Sequence, residues 1–253
     1  MTLSDDAAAG ANGSGGGTLR VAAVGDLHVG EDHPHSYREL FAEISGEADV
    51  LVLCGDLTNF GKTPEAEHLA EDLMACTIPV VGVLGNHDYE CGQPAEVAKI
   101  LHQAGMQMLD GEAYEIGGVG FAGAKGFIGG FGRHMLTPFG EGPIKDFVQA
   151  SVEENLKLES SLRMLRTERT VVALHYAPVV DTVLGEPPEI YPFLGSARLG
   201  ETIDRFDGVK VVFHGHAHRG CVEGKTARGV PVYNVARPLL ARHRDREYAV
   251  VEV

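Results

Sequence analysis

The sequence predicts an α/β fold with parallel strands at its centre. Short apolar runs recur along the first half of the chain, and segments with helical spacing of apolar residues separate them. Strands that are apolar along their whole length are typical of parallel sheets covered on both faces. The second half adds further strands, so a single domain with two sheets accounts for residues 18–253.

The first half of this domain reads as three strands joined by two helices. The predicted strands cover residues 19–24, 49–54 and 78–84. The predicted helices cover about 35–46 and 64–75. Thr63, followed by Pro64 and Glu65, is expected to be the N-cap of the second helix.

The second half begins with a hairpin, continues with a long helix and ends in strands. Gly117 and Gly118, between strands at 113–116 and 119–124, are a hairpin signal. A loop over 125–146 and a helix over about 147–166 follow. The remaining predicted strands cover 170–175, 209–214, 231–236 and 247–253.

Residues 1–17 precede this regular pattern. They are small, polar and Gly-rich, and they cannot bury enough surface to offset the entropy of ordering them. We therefore expect a disordered leader over 1–17.

The composition excludes several classes of protein. A formal net charge of −15 argues against a general binder of nucleic acid or anionic membranes, because those partners need a basic face. The sequence has no apolar stretch long enough to cross a membrane and no evident secretory signal. The cysteines (Cys54, Cys76, Cys91 and Cys221) form no CxxC pair, so we expect buried free thiols and a cytoplasmic location.

Polar clusters follow five of the apolar strands, at the point where each strand ends. The clusters are Gly25-Asp26-Leu27-His28, Gly55-Asp56, Gly85-Asn86-His87-Asp88, His175 and His214-Gly215-His216-Ala217-His218. In open α/β sheets, ligands gather outside the carboxyl ends of the strands, so we expect these clusters to converge. Their Asp, His and Asn side chains suit divalent metal ions.

Each cluster alone also has an ordinary structural explanation. Asp26 and Asp56 lie in loops where turns and caps are common, and Gly85-Asn86 is turn chemistry because both residues tolerate positive φ. A histidine at a strand end, such as His175, is usually a satisfied polar residue. All five clusters in one order, each at a strand end, favour a shared site.

The ordered series D-x-H, GD, GNHD, H and GHxH resembles the calcineurin-like metallophosphoesterases, from about residue 19 to 219. The resemblance implies a four-layer α/β/β/α sandwich with two mixed sheets, flanking helices and a two-metal centre at its edge. It implies seven metal ligands: Asp26, His28 and His218 for one ion, Asn86, His175 and His216 for the other, and Asp56 between both. The sequence does not determine the identity of the metals, because Mn, Fe, Zn and Ni all accept these nitrogen and oxygen ligands.

The same resemblance implies the chemistry. Two divalent ions sharing a hydroxide would attack a phosphoester in line, and the leaving alkoxide then needs a proton. His87 is not a ligand in the family pattern, so we expect it to be the general acid. Asp88 either orients His87 in catalysis or caps the following turn. His214 is expected to have a supporting or core role, although on an extended strand it would share a face with His216 and His218.

Differences between this sequence and one branch of the family narrow the range of expected substrates. Phosphoprotein phosphatases carry GDxxDRG, whereas Asn59 and Phe60 replace the acid and the phosphate-binding arginine here. The loss of a bidentate arginine disfavours a protein phosphatase. The stretch GDLTNFG is more similar to the small-molecule phosphodiesterase branch, which includes the cyclic-nucleotide class.

Two long loops, 126–142 and 176–195, are expected to select the substrate, because binding residues concentrate on loops over a rigid scaffold. Arg133 and His134 are the candidate substrate contacts in the first loop. Its phenylalanines either stack on a base or pack the loop onto the domain.

The favoured function is two-metal hydrolysis of a phosphodiester in a small or nucleotide-like substrate, by a metal-bridging hydroxide and with His87 as the acid. A phosphomonoesterase with the same centre is the alternative. A non-catalytic interaction module on the same fold is the alternative of another class, and the presence of every expected ligand disfavours it. The expected partner is a small phosphoester rather than nucleic acid or a membrane, and the sequence indicates no oligomeric state.

Overall fold

The structure is a computed structural model that describes residues 17–32 and 34–253. The predicted leader, 1–17, lies outside the described residues except for Gly17.

Five strands form the first sheet, in the order β11-β1-β2-β3-β4. They are Arg20–Val24 (β1), Val50–Cys54 (β2), Val80–Val83 (β3), Met106–Met108 (β4) and Ala249–Glu252 (β11). The first four pair in parallel, and β11 runs antiparallel to β1. The sequence indicated all of these except β4, whose three residues are too short a run to stand out.

Six strands form the second sheet, in the order β5-β6-β7-β8-β10-β9. They are Ala113–Ile116 (β5), Val119–Gly123 (β6), Thr170–Ala173 (β7), Val209–His214 (β8), Glu223–Lys225 (β9) and Pro231–Asn234 (β10). The predicted hairpin is confirmed, since β5 and β6 pair antiparallel across Gly117 and Gly118, whose φ angles are 58° and 78°. The sequence did not indicate β9, because its charged ends do not read as a strand.

The structure has seven α-helices within the described residues. They are Arg38–Glu47 (α1), Thr63–Leu73 (α2), Pro94–Gln103 (α3), Gly142–Met164 (α4), Tyr191–Leu194 (α5), Ala197–Ile203 (α6) and Arg237–His243 (α7). Of these, α1, α2 and α3 cover the outer face of the first sheet, while α4 and α6 cover that of the second. Thr63 as an N-cap is wrong: Lys62 holds that position, and its backbone N–H donates to the Glu65 carboxylate. The long helix starts at Gly142 rather than residue 147, because Pro143 is well accepted in a first turn. None of the helices in the described part of the chain is long and apolar enough to cross a membrane.

Three apolar cores separate four layers. The first contains Phe41 and Leu101 and lies between the first sheet and α1, α2 and α3. The second contains Val52 and Phe121, from the facing sides of the two sheets. The third contains Leu158 of α4 and lies on the outer side of the second sheet. This order confirms the predicted α/β/β/α sandwich with two mixed sheets.

The cysteines only partly follow the expectation of buried thiols. All four are free, and Cys54 is fully buried in β2. Cys76 is half-buried, and Cys91 and Cys221 are exposed, so the expectation is wrong for these three. They lie in connections between elements rather than in strands, where burial is not imposed.

The two sheets meet at one edge, where β1, β2, β3, β7 and β8 end. The His28 N–H donates to the Asp56 carbonyl across the first sheet, at 3.0 Å. His175 Nδ1 donates to the Cys54 carbonyl at 3.0 Å and so joins the second sheet to the first. The predicted convergence of strand ends therefore brings the polar clusters together.

Candidate metal centre

Four of the predicted ligands have a left-handed backbone, a conformation that favours glycine. They are Asp26 (φ 58°), His28 (49°), Asp56 (48°) and His216 (71°). The glycines beside them make room for side chains: a Cβ on Gly85 would lie 2.2 Å from Asp56 Oδ1, and one on Gly215 would lie 2.2 Å from Asp26 Oδ2. The sharp turns after the strands thus allow backbone and carboxylates to approach closely.

The first group of candidate ligands is Asp26, His28 and His218, whose ligand atoms lie within 4.8 Å of one another. His218 Nε2 is 2.8 Å from Asp26 Oδ1. The backbone N–H of His216 donates to both oxygens of Asp26, at 3.1 and 3.0 Å, which fixes this carboxylate. His28 Nε2 is buried without a hydrogen-bond partner among the described residues, and it lies 3.9 Å from Asp56 Oδ2.

The second group is Asp56, His175 and His216, again within 4.8 Å. His175 Nε2 lies 3.3 Å from Asp56 Oδ1 and 2.9 Å from Asn86 Oδ1. The rings of His175 and His216 have centroids 4.8 Å apart. Asp56 therefore lies between the two groups, and Asn86 belongs to the second.

The electrostatics of both groups fit divalent cations. Burial raises the pKa of Asp26 to about 6, because desolvation penalises its charged form and the Asp56 carboxylate adds repulsion. Burial also lowers the pKa of His28 to about 4, that of His216 to about 3 and that of His175 well below its ordinary value. Neutral imidazoles are the form that binds metals, and a cation would offset the repulsion between buried carboxylates. The unpartnered His28 Nε2 would gain a partner in the same way.

His87 lies at the mouth of this centre with its side chain 38% exposed. Its Nδ1 donates to the Asn59 carbonyl at 2.7 Å, which leaves Nε2 on the side of Asp56 Oδ2, at 4.0 Å. The rings of His87 and His28 are 4.5 Å apart in an edge-to-face arrangement, and these two residues form a third close group with Asp56. His87 can therefore face a group bound at the centre.

Within the described residues, the Asp88 carboxylate makes no hydrogen bond or ion pair with the His87 imidazole, so a role of Asp88 in orienting that ring stays a prediction without a direct contact behind it. Its carboxylate is fully buried and accepts four hydrogen bonds, from the backbone N–H of Gly85, Leu57 and Thr58 and from the Thr58 hydroxyl. The turn it binds precedes it rather than follows it. Asp88 thus ties the loop that carries Asp56 to the loop that carries Asn86.

The predicted strand over 209–214 is confirmed, and the extended geometry considered for His214, His216 and His218 does not continue beyond it. β8 ends at His214, and the positive φ of His216 turns the chain, so the three histidines do not share a strand face. His214 is fully buried, with Nδ1 donating to the Gly215 carbonyl and Nε2 2.8 Å from Thr182 Oγ1. Through these contacts His214 supports the loop that carries His216 and His218.

The two predicted substrate loops differ in their relation to the centre. Arg133 and His134 are exposed in the short 3-10 helix Gly132–His134, and neither makes a hydrogen bond, ion pair or ring contact within the described residues. Their role in substrate binding stays a prediction. The second loop reaches the centre directly, because the Phe193 carbonyl is 3.1 Å from His216 Nε2.

The phenylalanines of the first loop separate into packed and exposed side chains. Phe127 packs against the third core and Phe131 against a small cluster around Leu194. Phe139 is 87% exposed. Phe127 and Phe131 therefore follow one of the two alternatives for these residues, which is packing onto the domain.

Two residues beside the centre were not indicated by the sequence as parts of the site. Asn59 acts through its backbone carbonyl, which leaves no signal in the residue type. Lys125 follows β6 at the same sheet edge, and its ammonium lies among three aromatic rings. Its place directly after a strand end is a signal that could have drawn attention to it.

Comparisons with known proteins agree with this geometry. Residues 19–220 match the family model for the calcineurin-like phosphoesterases. A 3′,5′-cyclic-nucleotide phosphodiesterase of Nostoc sp. (strain PCC 7120) is 27% identical over 179 residues, which cover 70% of this chain and 58% of the relative. The chain therefore corresponds to less than two thirds of that relative's length.

Solved structures share the fold. A phosphopantetheinyl hydrolase from Mycobacterium tuberculosis is similar over 91% of this chain and 95% of its own, with a TM-score of 0.64 and 15% identity. A dimetal phosphatase from Danio rerio is similar over 85% of this chain and 86% of its own, with a TM-score of 0.58 and 15% identity. At such identities the likeness concerns the arrangement of sheets and helices.

Proposed function

The chain belongs to the calcineurin-like phosphoesterase family, and from this premise we propose that it hydrolyses a phosphodiester in a small or nucleotide-like substrate. The observation that carries the proposal is the convergence of carboxylates and imidazoles from four strand ends into two adjoining groups, with the Asn86 amide from a fifth strand end beside the second group. Such a set of ligands is suited to two divalent ions, and paired ions are suited to phosphoester hydrolysis.

We assign Asp26, His28 and His218 to one ion and Asn86, His175 and His216 to the other, with Asp56 shared. When bound, the two ions supply a nucleophilic water at neutral pH and neutralise charge on the phosphate. The chain's own contribution is to hold these ligands in place before binding. The contacts between Asp26 and the His216 backbone and between Asp56 Oδ1 and the His87 backbone N–H do this.

His87 supplies the proton for the leaving group. Because the Asn59 carbonyl accepts the Nδ1–H, the ring is held with Nε2 toward the centre. A protonated Nε2 can then donate to the oxygen of the departing alcohol. The half-exposed position of the ring lets it recover a proton from solvent after each turnover.

A diester is favoured over a monoester by the space around the centre. A cavity of about 630 Å³ includes His28, Asn59 and Arg237, and a separate cavity of about 280 Å³ includes Asn86 and Tyr176. A phosphodiester of two alcohols carries two organic arms, whereas a monoester carries one. The name of the Nostoc relative, a 3′,5′-cyclic-nucleotide phosphodiesterase, supports a diester independently of this argument, since both ester oxygens of a cyclic nucleotide belong to one ribose.

The test compares bis-p-nitrophenyl phosphate with p-nitrophenyl phosphate in the presence of Mn²⁺, and then of Fe²⁺, Zn²⁺ and Ni²⁺. We expect a higher kcat/KM for the diester. A preference for the monoester would support the phosphomonoesterase instead. Absence of turnover with every metal would refute the proposed activity.

A further inference from the structure

A pocket of about 280 Å³ lies directly beside Asn86. Three aromatic side chains, Tyr89, Phe127 and Tyr176, form its walls together with Lys125. Pockets that enclose a whole drug-sized ligand are larger, about 300–1,000 Å³. This one has the size for a single ring system, that is, for one arm of a substrate.

The pocket adjoins the metal centre, because one of its aromatic walls packs against two candidate ligands. The Tyr176 ring lies 4.5 Å from the His216 ring and 5.2 Å from the His175 ring, between centroids. Asn86 itself belongs to both the centre and the pocket. A group attached to a phosphate at the centre can therefore extend into the pocket without leaving the protein surface.

The position of His87 indicates which cavity holds which arm of a diester. The leaving oxygen must lie close to His87, whose ring adjoins His28 and is held by Asn59. Both of these residues line the other, larger cavity. The leaving arm thus occupies the larger cavity, and the pocket beside Asn86 is free for the retained arm.

Lys125 is the unusual feature of this pocket. Its Nζ lies 5.2, 4.8 and 5.3 Å from the ring centroids of Tyr89, Phe127 and Tyr176. Its one hydrogen bond within the described residues goes to the Gly126 carbonyl, at 2.8 Å, and it has no ion pair there. An ammonium has three N–H donors, so two remain for a ligand.

Lys157 lines the same pocket but is already satisfied. Its Nζ lies 2.8 Å from Asp110 Oδ1 and 3.0 Å from Glu154 Oε1. The second oxygen of Glu154 accepts the Gly126 N–H, so this carboxylate is engaged on both sides. The two lysines therefore form a matched pair, one available to a ligand and one not.

We propose that this pocket binds the retained arm of the diester, that the arm is a flat heterocycle of the nucleobase type, and that Lys125 selects it by donating to one of its carbonyl oxygens. The aromatic walls provide surface for a planar ring. An alkyl arm would bury the free Lys125 donors without a partner, which is costly, whereas a carbonyl-bearing ring satisfies them. This inference rests on the proposed diester hydrolysis, and it adds which arm is recognised and by which residue.

The experiment uses three diesters with the same p-nitrophenolate leaving group and different retained arms: methyl, phenyl and thymidine 5′-linked. For the wild-type protein we expect kcat/KM to rise in that order. Lys125→Met should lower kcat/KM for the thymidine ester about tenfold, through KM, since a hydrogen bond to a charged donor is lost. It should change the values for the methyl and phenyl esters by less than about twofold.

Two further variants act as controls. Lys99→Met removes an ammonium that pairs with Glu96 and lines neither cavity, so the ratio between thymidine and methyl esters should stay as in the wild type. Phe127→Leu removes a ring, so it should reduce the preference for phenyl and thymidine arms alike. Equal losses for all three esters in Lys125→Met, or no loss for any, would overturn the assignment. An alkyl ester that matches the thymidine ester in the wild type would also overturn it.

A binding measurement keeps this inference distinct from the proposed activity. Calorimetry with thymidine 5′-monophosphate and Mn²⁺ should show about tenfold weaker binding to Lys125→Met than to wild type. If no diester is hydrolysed but this difference is found, the proposed activity fails and the pocket assignment stands. If diesters are hydrolysed and the two proteins bind the nucleotide equally, the pocket assignment fails alone.

Discussion

Asp88→Asn tests how the two loops of the centre are held. Each carboxylate oxygen of Asp88 accepts two hydrogen bonds: Oδ1 from the Thr58 backbone and hydroxyl, and Oδ2 from the Gly85 and Leu57 backbones. An amide of the same shape keeps one oxygen and turns its NH₂ toward the other pair of donors. With the NH₂ toward Thr58, the Thr58 N–H loses its acceptor while the Thr58 hydroxyl can turn and accept from the amide, so one buried N–H is left unsatisfied, at about 1–3 kcal/mol.

The assay combines thermal unfolding with elemental analysis. For a chain of this length the loss should lower Tm by at least about 2 °C. Because Asp88 joins the loops carrying Asp56 and Asn86, we also expect lower metal content in the variant. Asp72→Asn is the control: Asp72 is equally buried, but within the described residues its Oδ2 accepts one hydrogen bond, from the Tyr37 N–H, and its Oδ1 has a single contact, at 3.4 Å, with Nδ1 of the exposed His35. That variant should lose less stability and keep its metals.

One result would refute this reasoning. If Asp88→Asn unfolds at the wild-type temperature with full metal content, but turns over slowly with a displaced pH profile, then Asp88 acts on the proton of His87. The absence of a hydrogen bond or ion pair between these two described side chains argues for the opposite outcome.

Three further predictions concern the centre as a whole. Asp56→Ala should lose metals and activity together, whereas His87→Ala should keep its metals and lose turnover; two ions per chain in Asp56→Ala would contradict the shared-ligand role. Chelation should lower Tm, since a metal at a hundred times its Kd contributes about 2.7 kcal/mol, and an unchanged Tm would contradict metal binding. Burial lowers the pKa of His214 to about 4. Between about pH 6.5 and pH 4, this histidine is therefore protonated in the unfolded chain and neutral in the folded chain. Denaturant titrations of the metal-free protein should therefore show stability falling from about pH 6.5 to about 4, by up to about 3 kcal/mol, and a smaller fall in His214→Gln. An identical pH dependence in both proteins would rule out this contribution.

Much of the fold was readable because burial on both faces leaves a clear pattern. The strands of the first sheet that carry the centre, β1, β2 and β3, are continuous apolar runs, and each is followed within two residues by a glycine and then a polar side chain. The helix α3 was missed although its apolar face is regular, because the chain around Pro94 looks like a loop. The short strands β4 and β9 were missed because pairing partners, rather than their own residues, make them strands.

The centre was predicted by residue type and position, and its supporting contacts were not. Asp26 and His218 are 192 positions apart, and their proximity follows from strand order alone. The contact between His87 and the Asn59 carbonyl depends on the path of a loop. Every residue has a backbone carbonyl, so the residue type at position 59 does not indicate this contact. Asp88 shows the same limit, because a carboxylate binding three backbone N–H groups reads in sequence like any acid after a histidine.

The backbone at the centre contains strain that the cores must support. Within the described residues, the non-glycine positions with positive φ are Asp26, His28, His35, Asp56 and His216, and all but His35 are candidate ligands. Each such conformation costs on the order of 1–3 kcal/mol, and it persists only where the surroundings impose it. A glycine would relieve the strain but would supply no ligand. What the side chains bind therefore explains why Asp and His occupy these positions against their own backbone preference. The fully apolar strands that precede them hold the turns in place.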